Sequence, residues 1–92
     1  MNKIEMHKEL CEELHDIYSR KNSDYNDSFG ETFEKLGIVS AVAQIMHKHN
    51  RLVSLCTKPE GERKVKDETI SDTLLDLANY CIMAEIELRR NK

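Results

Sequence analysis

Apolar residues spaced three or four positions apart run through most of the chain, which is the period of an amphipathic α-helix. This spacing predicts a first helix from about residue 3 to residue 21. It also predicts a short helical piece over residues 30–37, with Gly37 as its stop, and a second long helix over residues 38–57. Alternation of apolar and polar residues never persists, so no β-strand is predicted.

Polar and charged segments separate these predicted helices. Residues 22–28 are rich in Asn, Ser and Asp, which hydrogen-bond their own backbone, so we expect them to end the first helix and form a structured loop. Residues 57–66 contain a proline, a glycine and many charges, and they predict an exposed loop. The last helix is then expected to start with Asp67 as its N-cap and to end near Arg89, Arg90 and Lys92.

The last helix has more apolar surface than one neighbouring helix needs. Its main stripe is widened by a second one, formed by Leu75, Ile82, Met83 and Ile86. Ninety-two residues also bury only a modest core. We therefore predict a single all-α domain over residues 1–92, a small helical bundle of three long helices plus one short helix, assembled as a homo-oligomer.

Composition narrows the class of protein. The chain is 39% hydrophobic and 34% charged, with no long apolar run, so we expect a soluble protein and no membrane partner. The N-terminus lacks the apolar core of a secretory signal, which favours the cytoplasm. A net charge of −3 gives no reason to expect binding to duplex nucleic acid. The odd number of cysteines, Cys11, Cys56 and Cys81, is typical of buried free thiols.

The last predicted helix also carries a polar face. Glu68, Asp72 and Asp76 are spaced by four, and Asn79 and Tyr80 follow about one turn later. Carboxylates at this spacing repel each other unless a cation faces them, and a magnesium ion is one candidate.

The predicted helix over residues 38–57 offers another source of positive charge, because Lys48 and Arg51 share one of its faces. These cations could pair with Asp72 and Asp76 in a polar network, or could bind phosphate instead. Both alternatives stay open at the level of sequence.

Two aromatic residues stand among small polar groups in the predicted loop. Tyr25 or Phe29 could stack on a nucleobase while Asn26 or Ser28 hydrogen-bonds its edge. The alternative is that both rings hold the loop against the bundle.

Together these segments resemble a known family of phage and prophage proteins, the nucleotide-modification-associated domain of the first type. The resemblance spans roughly residues 10–88 and rests on Lys21-Asn22-Ser23-Asp24-Tyr25, Ser28-Phe29, Lys48-x-x-Arg51 and the run from Lys66 to Met83. The chain departs from the family at Asn26, where glycine is common, and at His47, where an acidic residue is common.

The resemblance implies a phage-associated, nucleotide-related role in the host cytoplasm. Two functions are compatible with it. One is a small oligomeric protein that sequesters a cyclic nucleotide immune signal and so counters anti-phage defence, with no cofactor and no hydrolysis. The other is a magnesium-dependent nucleoside triphosphate pyrophosphohydrolase of MazG or dimeric dUTPase type, or an accessory to nucleotide modification. The spacing Glu68-x-x-x-Asp72 differs from the Glu-x-x-Asp of those enzymes, and residues 38–57 contain no carboxylate. We therefore favour the binding protein over the enzyme.

The residues expected to bind the ligand come from all three polar regions. They are Lys21, Asp24, Tyr25, Asn26, Ser28, Phe29, Lys48, Arg51, Asp72, Asp76, Asn79 and Tyr80. Glu68, Asp72 and Asp76 are the metal candidates for the enzymatic alternative, and no catalytic residue is assigned. Because the last helix carries both an apolar and a polar face, the ligand pocket is expected at or near the subunit interface.

Overall fold

The computed structural model describes residues 2–57 and 63–91, apart from the side chains of residues 25 and 63–66. Within this part of the chain every secondary-structure element is a helix, which confirms the all-α class. The helices are α1 (Lys3–Tyr25), α2 (Ser28–Leu36), α3 (Ile38–Thr57) and α4 (Arg63–Arg90). None of these helices is both long and apolar enough to cross a membrane.

The helix α1 is longer than predicted. It begins where the Asn2 side chain accepts a hydrogen bond from the Glu5 N–H, and it continues through residues 22–24 to Tyr25. The prediction that these residues form a loop was wrong, because no glycine or proline interrupts them and Lys21 holds this end of α1 against α4. The connection to α2 is only Asn26 and Asp27.

The helix α2 ends as predicted and starts two residues earlier. Asp27 caps its N-terminus by accepting a hydrogen bond from the Gly30 N–H at 3.1 Å. Gly37 ends it at φ 72°, and its N–H donates to the Phe33 carbonyl at 2.7 Å. The helix α3 follows at once and has the predicted bounds.

The helix α4 starts earlier than predicted. It begins at Arg63, so Asp67 lies inside the helix and is not its N-cap. Residues 63–66 are charged except for one valine, and such residues are compatible with a helix as well as with a loop. The rest of the predicted loop, residues 58–62, lies outside the described residues. The basic residues Arg89 and Arg90 occupy the last turn of α4, as predicted.

The core lies between α2, α3 and α4. Phe33, Ala41 and Ala84 are buried together, and Phe29 packs against them. Since Ala41 meets Ala84 in this cluster and Lys48 binds Asp76, α3 and α4 run antiparallel. These two helices pack along much of their length, whereas α1 contacts α4 far less.

The three cysteines are free, but all of them are exposed in the single chain. The prediction of buried thiols was therefore wrong. Each cysteine belongs to an apolar stripe, and the spacing of a stripe does not tell which stripe is covered within the chain. Cys11 Sγ lies 3.8 Å from His7 Nδ1 on the same helix.

Candidate functional site

A cavity of about 290 Å³ opens where all four helices approach the α1–α2 turn. We call it the polar cavity, because most of the residues that line it have polar side chains. Its lining residues are Tyr18, Lys21, Asn22, Asn26, Asp27, Ser28, Phe29, Thr32, Ser40, Gln44, Asp76, Asn79, Tyr80 and Met83.

The charged centre of the polar cavity is Asp76. Its two carboxylate oxygens accept hydrogen bonds from Lys21 Nζ at 3.3 Å and from Lys48 Nζ at 3.0 Å. Partial burial alone would raise the pKa of Asp76, but the hydrogen bonds and positive charges of the two lysines outweigh it. The pKa of Asp76 therefore lies below its usual value, and the carboxylate is ionised at neutral pH.

An aromatic pair lies beside this charged group. The rings of Phe29 and Tyr80 are 6.0 Å apart at their centroids and only 19° from parallel. Lys48 Nζ lies 6.0 Å from the Tyr80 ring centroid, at the outer limit of a cation–π contact. One lysine thus connects the carboxylate of Asp76 with the aromatic wall, although it does not itself line the polar cavity.

Asn79 ties the polar cavity to α1. Its side-chain N–H donates to the Leu14 carbonyl at 3.1 Å, so one end of the amide is used in the fold. Its side-chain oxygen makes no hydrogen bond within the described part of the chain and can accept one from a ligand.

The α1–α2 turn forms the rim of the polar cavity. Asn26 adopts φ 60° and ψ −165°, a backbone conformation that essentially only glycine reaches without strain, which fits a position where the family commonly has glycine. Asp27 is held by its capping bond to Gly30. Gly30 is buried, and a Cβ at this position would meet the Asp27 carboxylate.

The structure brings together most of the predicted ligand residues. Seven of them line the polar cavity: Lys21, Asn26, Ser28, Phe29, Asp76, Asn79 and Tyr80. Lys48 adjoins it through Asp76 and Tyr80. The side chain of Tyr25 lies outside the described residues.

Three predicted ligand residues are placed elsewhere. Asp24, Arg51 and Asp72 are exposed and do not line the polar cavity. Among the described residues, no hydrogen bond or ion pair involves Arg51 or Asp72, so the predicted network is limited to Lys48 and Asp76. The second partner of Asp76 is Lys21 on α1, which was not predicted.

Several wall residues were missed by sequence reasoning, namely Tyr18, Asn22, Asp27, Thr32, Ser40, Gln44 and Met83. A signal existed for two of them, because Ser40, Gln44 and Lys48 are spaced by four and share a face of α3. The others depend on how α1 and α2 sit against α4, which no local spacing reveals.

The metal candidates do not form a complete ligand set in the described structure. Within residues 2–57 and 63–91, no group of three His, Cys, Asp or Glu side chains could hold a metal ion. Glu68 and Asp72 are exposed on α4, while Asp76 faces the two lysines.

These features define an all-α protein with a cavity of aromatic, amide and lysine side chains. The family called Nucleotide modification associated domain 1 matches residues 21–88, which contain most of the cavity wall. The chain belongs to this family, as the sequence motifs indicated. No curated protein and no solved structure matches the chain. The distant resemblance to MazG-type enzymes stays a prediction.

Proposed function

We propose that the polar cavity binds a nucleotide and holds it without hydrolysing it. The observation that carries this proposal is the placement of the Phe29–Tyr80 pair directly beside the Lys21–Asp76–Lys48 group. Aromatic rings stack on nucleobases of any identity, and lysines attract phosphate. Membership of a family associated with nucleotide modification supports the same class of ligand.

Hydrogen-bonding groups suited to a base or ribose surround the aromatic pair. Asn22, Asn26, Gln44 and Asn79 offer amide donors and acceptors, and Ser28, Thr32 and Ser40 offer hydroxyls. An apolar ring with a few convergent polar groups is typical of a small-molecule site.

The charge balance favours a ligand with few phosphates. Lys21 and Lys48 are matched by two carboxylates at the same site, Asp27 and Asp76. One carboxylate is bonded to both lysines and the other caps α2, so both already have partners within the fold. A nucleoside triphosphate carries more negative charge than this site neutralises, whereas a cyclic nucleotide carries one charge per phosphate.

We therefore propose a cyclic nucleotide, acting as an immune signal of the host cell, as the ligand of a phage-type protein in the cytoplasm. A volume of about 290 Å³ lies at the small end of ligand pockets and suits one nucleotide unit. A ligand of two units would extend beyond one chain, and this agrees with the proposal that the protein is a homo-oligomer.

The decisive experiment separates binding from hydrolysis. The purified protein is mixed with a cyclic nucleotide, the complex is isolated and heat-denatured, and the released ligand is analysed by chromatography and mass spectrometry. Recovery of the intact ligand is expected. Recovery of a linear or cleaved product would rule out simple sequestration.

A parallel assay tests the enzymatic alternative directly. Nucleoside triphosphates are incubated with magnesium, and pyrophosphate is measured for the wild type and for Asp72→Ala. No release above background is expected from either protein. Pyrophosphate release that disappears in Asp72→Ala would overturn the proposal, because Asp72 does not line the polar cavity.

A further inference from the structure

The single chain exposes more surface than a folded protein of its mass usually does. Its accessible surface is 7413 Å², whereas a monomer of this mass is expected to expose about 5,500 Å². Its radius of gyration is 15.0 Å, against about 12 Å for a compact domain of this length. The excess area, roughly 1,900 Å², is more than the ~800 Å² that each partner buries in a standard interface.

Part of the apolar surface that the single chain exposes lies between α1 and α4. A groove of about 240 Å³ separates the two helices, with Cys11 and Leu14 on one side and Ile82 and Ile86 on the other. Ile82 is 49% exposed and Ile86 40%, although both belong to the widened apolar stripe of α4. We call this surface the α1–α4 groove.

The α1–α4 groove is continuous with the polar cavity. Tyr18, Asn79 and Met83 line both of them, so these three side chains form a shared wall. Whatever covers the groove therefore also contacts the wall of the candidate nucleotide site.

We propose that the α1–α4 groove packs against the α1–α4 groove of a second copy of this chain. Asn79 bonds Leu14 and Asp76 bonds Lys21, so α1 and α4 run antiparallel. Two such antiparallel pairs that meet through apolar faces form a four-helix bundle, and a two-fold dimer uses the same patch on both partners. The area surplus supplies what a stable dimer of this kind needs.

The dimer completes the nucleotide site, a consequence that rests on the proposed function. Helices of the second copy cover the shared wall of Tyr18, Asn79 and Met83 and reduce the access of solvent to the polar cavity from that side. Stacking and ion pairing are stronger where water is excluded, so the dimer binds nucleotide more tightly than the monomer. Ligand and partner then stabilise each other's binding by the same factor.

The first test measures the oligomeric state without nucleotide. Light scattering after size exclusion is expected to give a dimer, or a larger assembly built from dimers, for the wild type. Ile82→Glu is expected to raise the dimer dissociation constant at least a hundredfold. Val53→Glu is a matched control, because Val53 is 48% exposed on α3 and does not line the groove. A monomeric wild type, or a dimer broken by Val53→Glu and unaffected by Ile82→Glu, would overturn the proposal.

A thiol-labelling measurement on the wild type avoids any dependence on folding of the variants. All three cysteines are exposed in the single chain. In the dimer, Cys11 in the groove is expected to react with a maleimide at least tenfold more slowly than Cys56 on α3. Equal labelling rates for the two thiols at a concentration where the protein is dimeric would place the interface elsewhere.

The second test compares nucleotide binding by the wild type, Ile82→Glu and Val53→Glu, using the cyclic nucleotide as probe in calorimetry. We expect the monomeric Ile82→Glu to bind at least tenfold more weakly than the wild type, and Val53→Glu to bind like the wild type. Unchanged affinity in that monomer would overturn the completion of the site by the partner. Absence of nucleotide binding in a wild-type dimer would instead remove the proposed function while supporting the interface.

Discussion

Asp76 is the residue at which three helices are joined electrostatically. Lys21 of α1 and Lys48 of α3 both donate to its carboxylate on α4. Because this carboxylate is only partly exposed, removing its charge leaves two lysines close together with no negative charge between them. The sequence left two partners open for Asp72 and Asp76, the cations Lys48 and Arg51 or a magnesium ion. It could not choose between the two carboxylates, since a helical period of 3.6 leaves residues four apart on one face.

The stability supplied by Asp76 should depend on pH. Its pKa is lowered in the folded protein, so its contribution is present above the unfolded pKa of about 3.9 and is lost as pH falls through the folded value. Asp76→Asn should therefore reduce the free energy of unfolding by about 1–3 kcal/mol at pH 7. The difference between wild type and variant should shrink below about pH 4.

Urea denaturation at pH 7 and at pH 3 measures this difference. Asp72→Asn is the control, because Asp72 lies one turn away, is exposed and has no ion-pair partner among the described residues. A loss of stability in Asp76→Asn that stays constant between the two pH values would contradict the ionised pairing.

Tyr80 should contribute to nucleotide affinity mainly through its ring. Tyr80→Leu removes the surface beside Phe29 and Lys48 and is expected to weaken binding by about 1–3 kcal/mol, or roughly 5- to 150-fold. Tyr80→Phe keeps the ring and should stay close to wild type in calorimetry. Equal losses in both variants would show that the hydroxyl, and not stacking, recognises the ligand.

At the scale of elements, the α1–α2 turn shows what local sequence can and cannot predict. The concentration of small polar residues over 22–28 correctly indicated a break in the helix, but the break occupies only Asn26 and Asp27. Residues 22–24 can end a helix or continue it, and packing of α1 against α4 decides between the two. The start of α4 was missed for the same reason, whereas Gly37 was predicted because a positive φ strongly favours glycine.

The Asp27 cap and Gly30 should be energetically coupled. Gly30→Ala introduces a Cβ against the Asp27 carboxylate, so it should break the cap and cost about 1–2 kcal/mol of unfolding free energy. Asp27→Ala should cost a similar amount by itself. In the Asp27→Ala background, however, Gly30→Ala should be neutral or stabilising, since alanine is the better helix former.

A double-mutant cycle by thermal or urea denaturation measures this coupling. Additive losses in the double variant would mean that the cap and the glycine act independently.

At the scale of the whole molecule, the sequence predicted the class of fold, the number of helices and the surplus of apolar surface on α4. The exposed stripe at Ile82 and Ile86 corresponds to the second stripe seen in the sequence. The sequence could not show that α1 leaves a groove beside this stripe, because the distance between two helices depends on all the side chains between them. The polar cavity depends on the same arrangement, which is why its α1 wall was largely missed.

The helix α1 makes few contacts with α4, and this affects the dynamics of the protein. Among the described residues, its polar links to α4 are Asn79 with Leu14 and Lys21 with Asp76, whereas α3 and α4 share an extensive contact and the buried cluster. Segments with few buried contacts open locally at a small free-energy cost and exchange their amide hydrogens quickly. The amides of α1 should therefore exchange much faster than those in the middle of α3 and α4.

A bound nucleotide should change this pattern in one region. Tyr18, Lys21 and Asn22 line the polar cavity, so a ligand there should slow exchange in the C-terminal half of α1 while leaving the core of α3 unchanged. Hydrogen–deuterium exchange with mass spectrometry measures both segments in one sample, and uniform protection of all helices would contradict the expectation. A nucleotide that orders α1 against α4 loses part of its binding free energy to the cost of that ordering. Variants in which α1 is already held more firmly against α4 should therefore bind the same nucleotide more tightly.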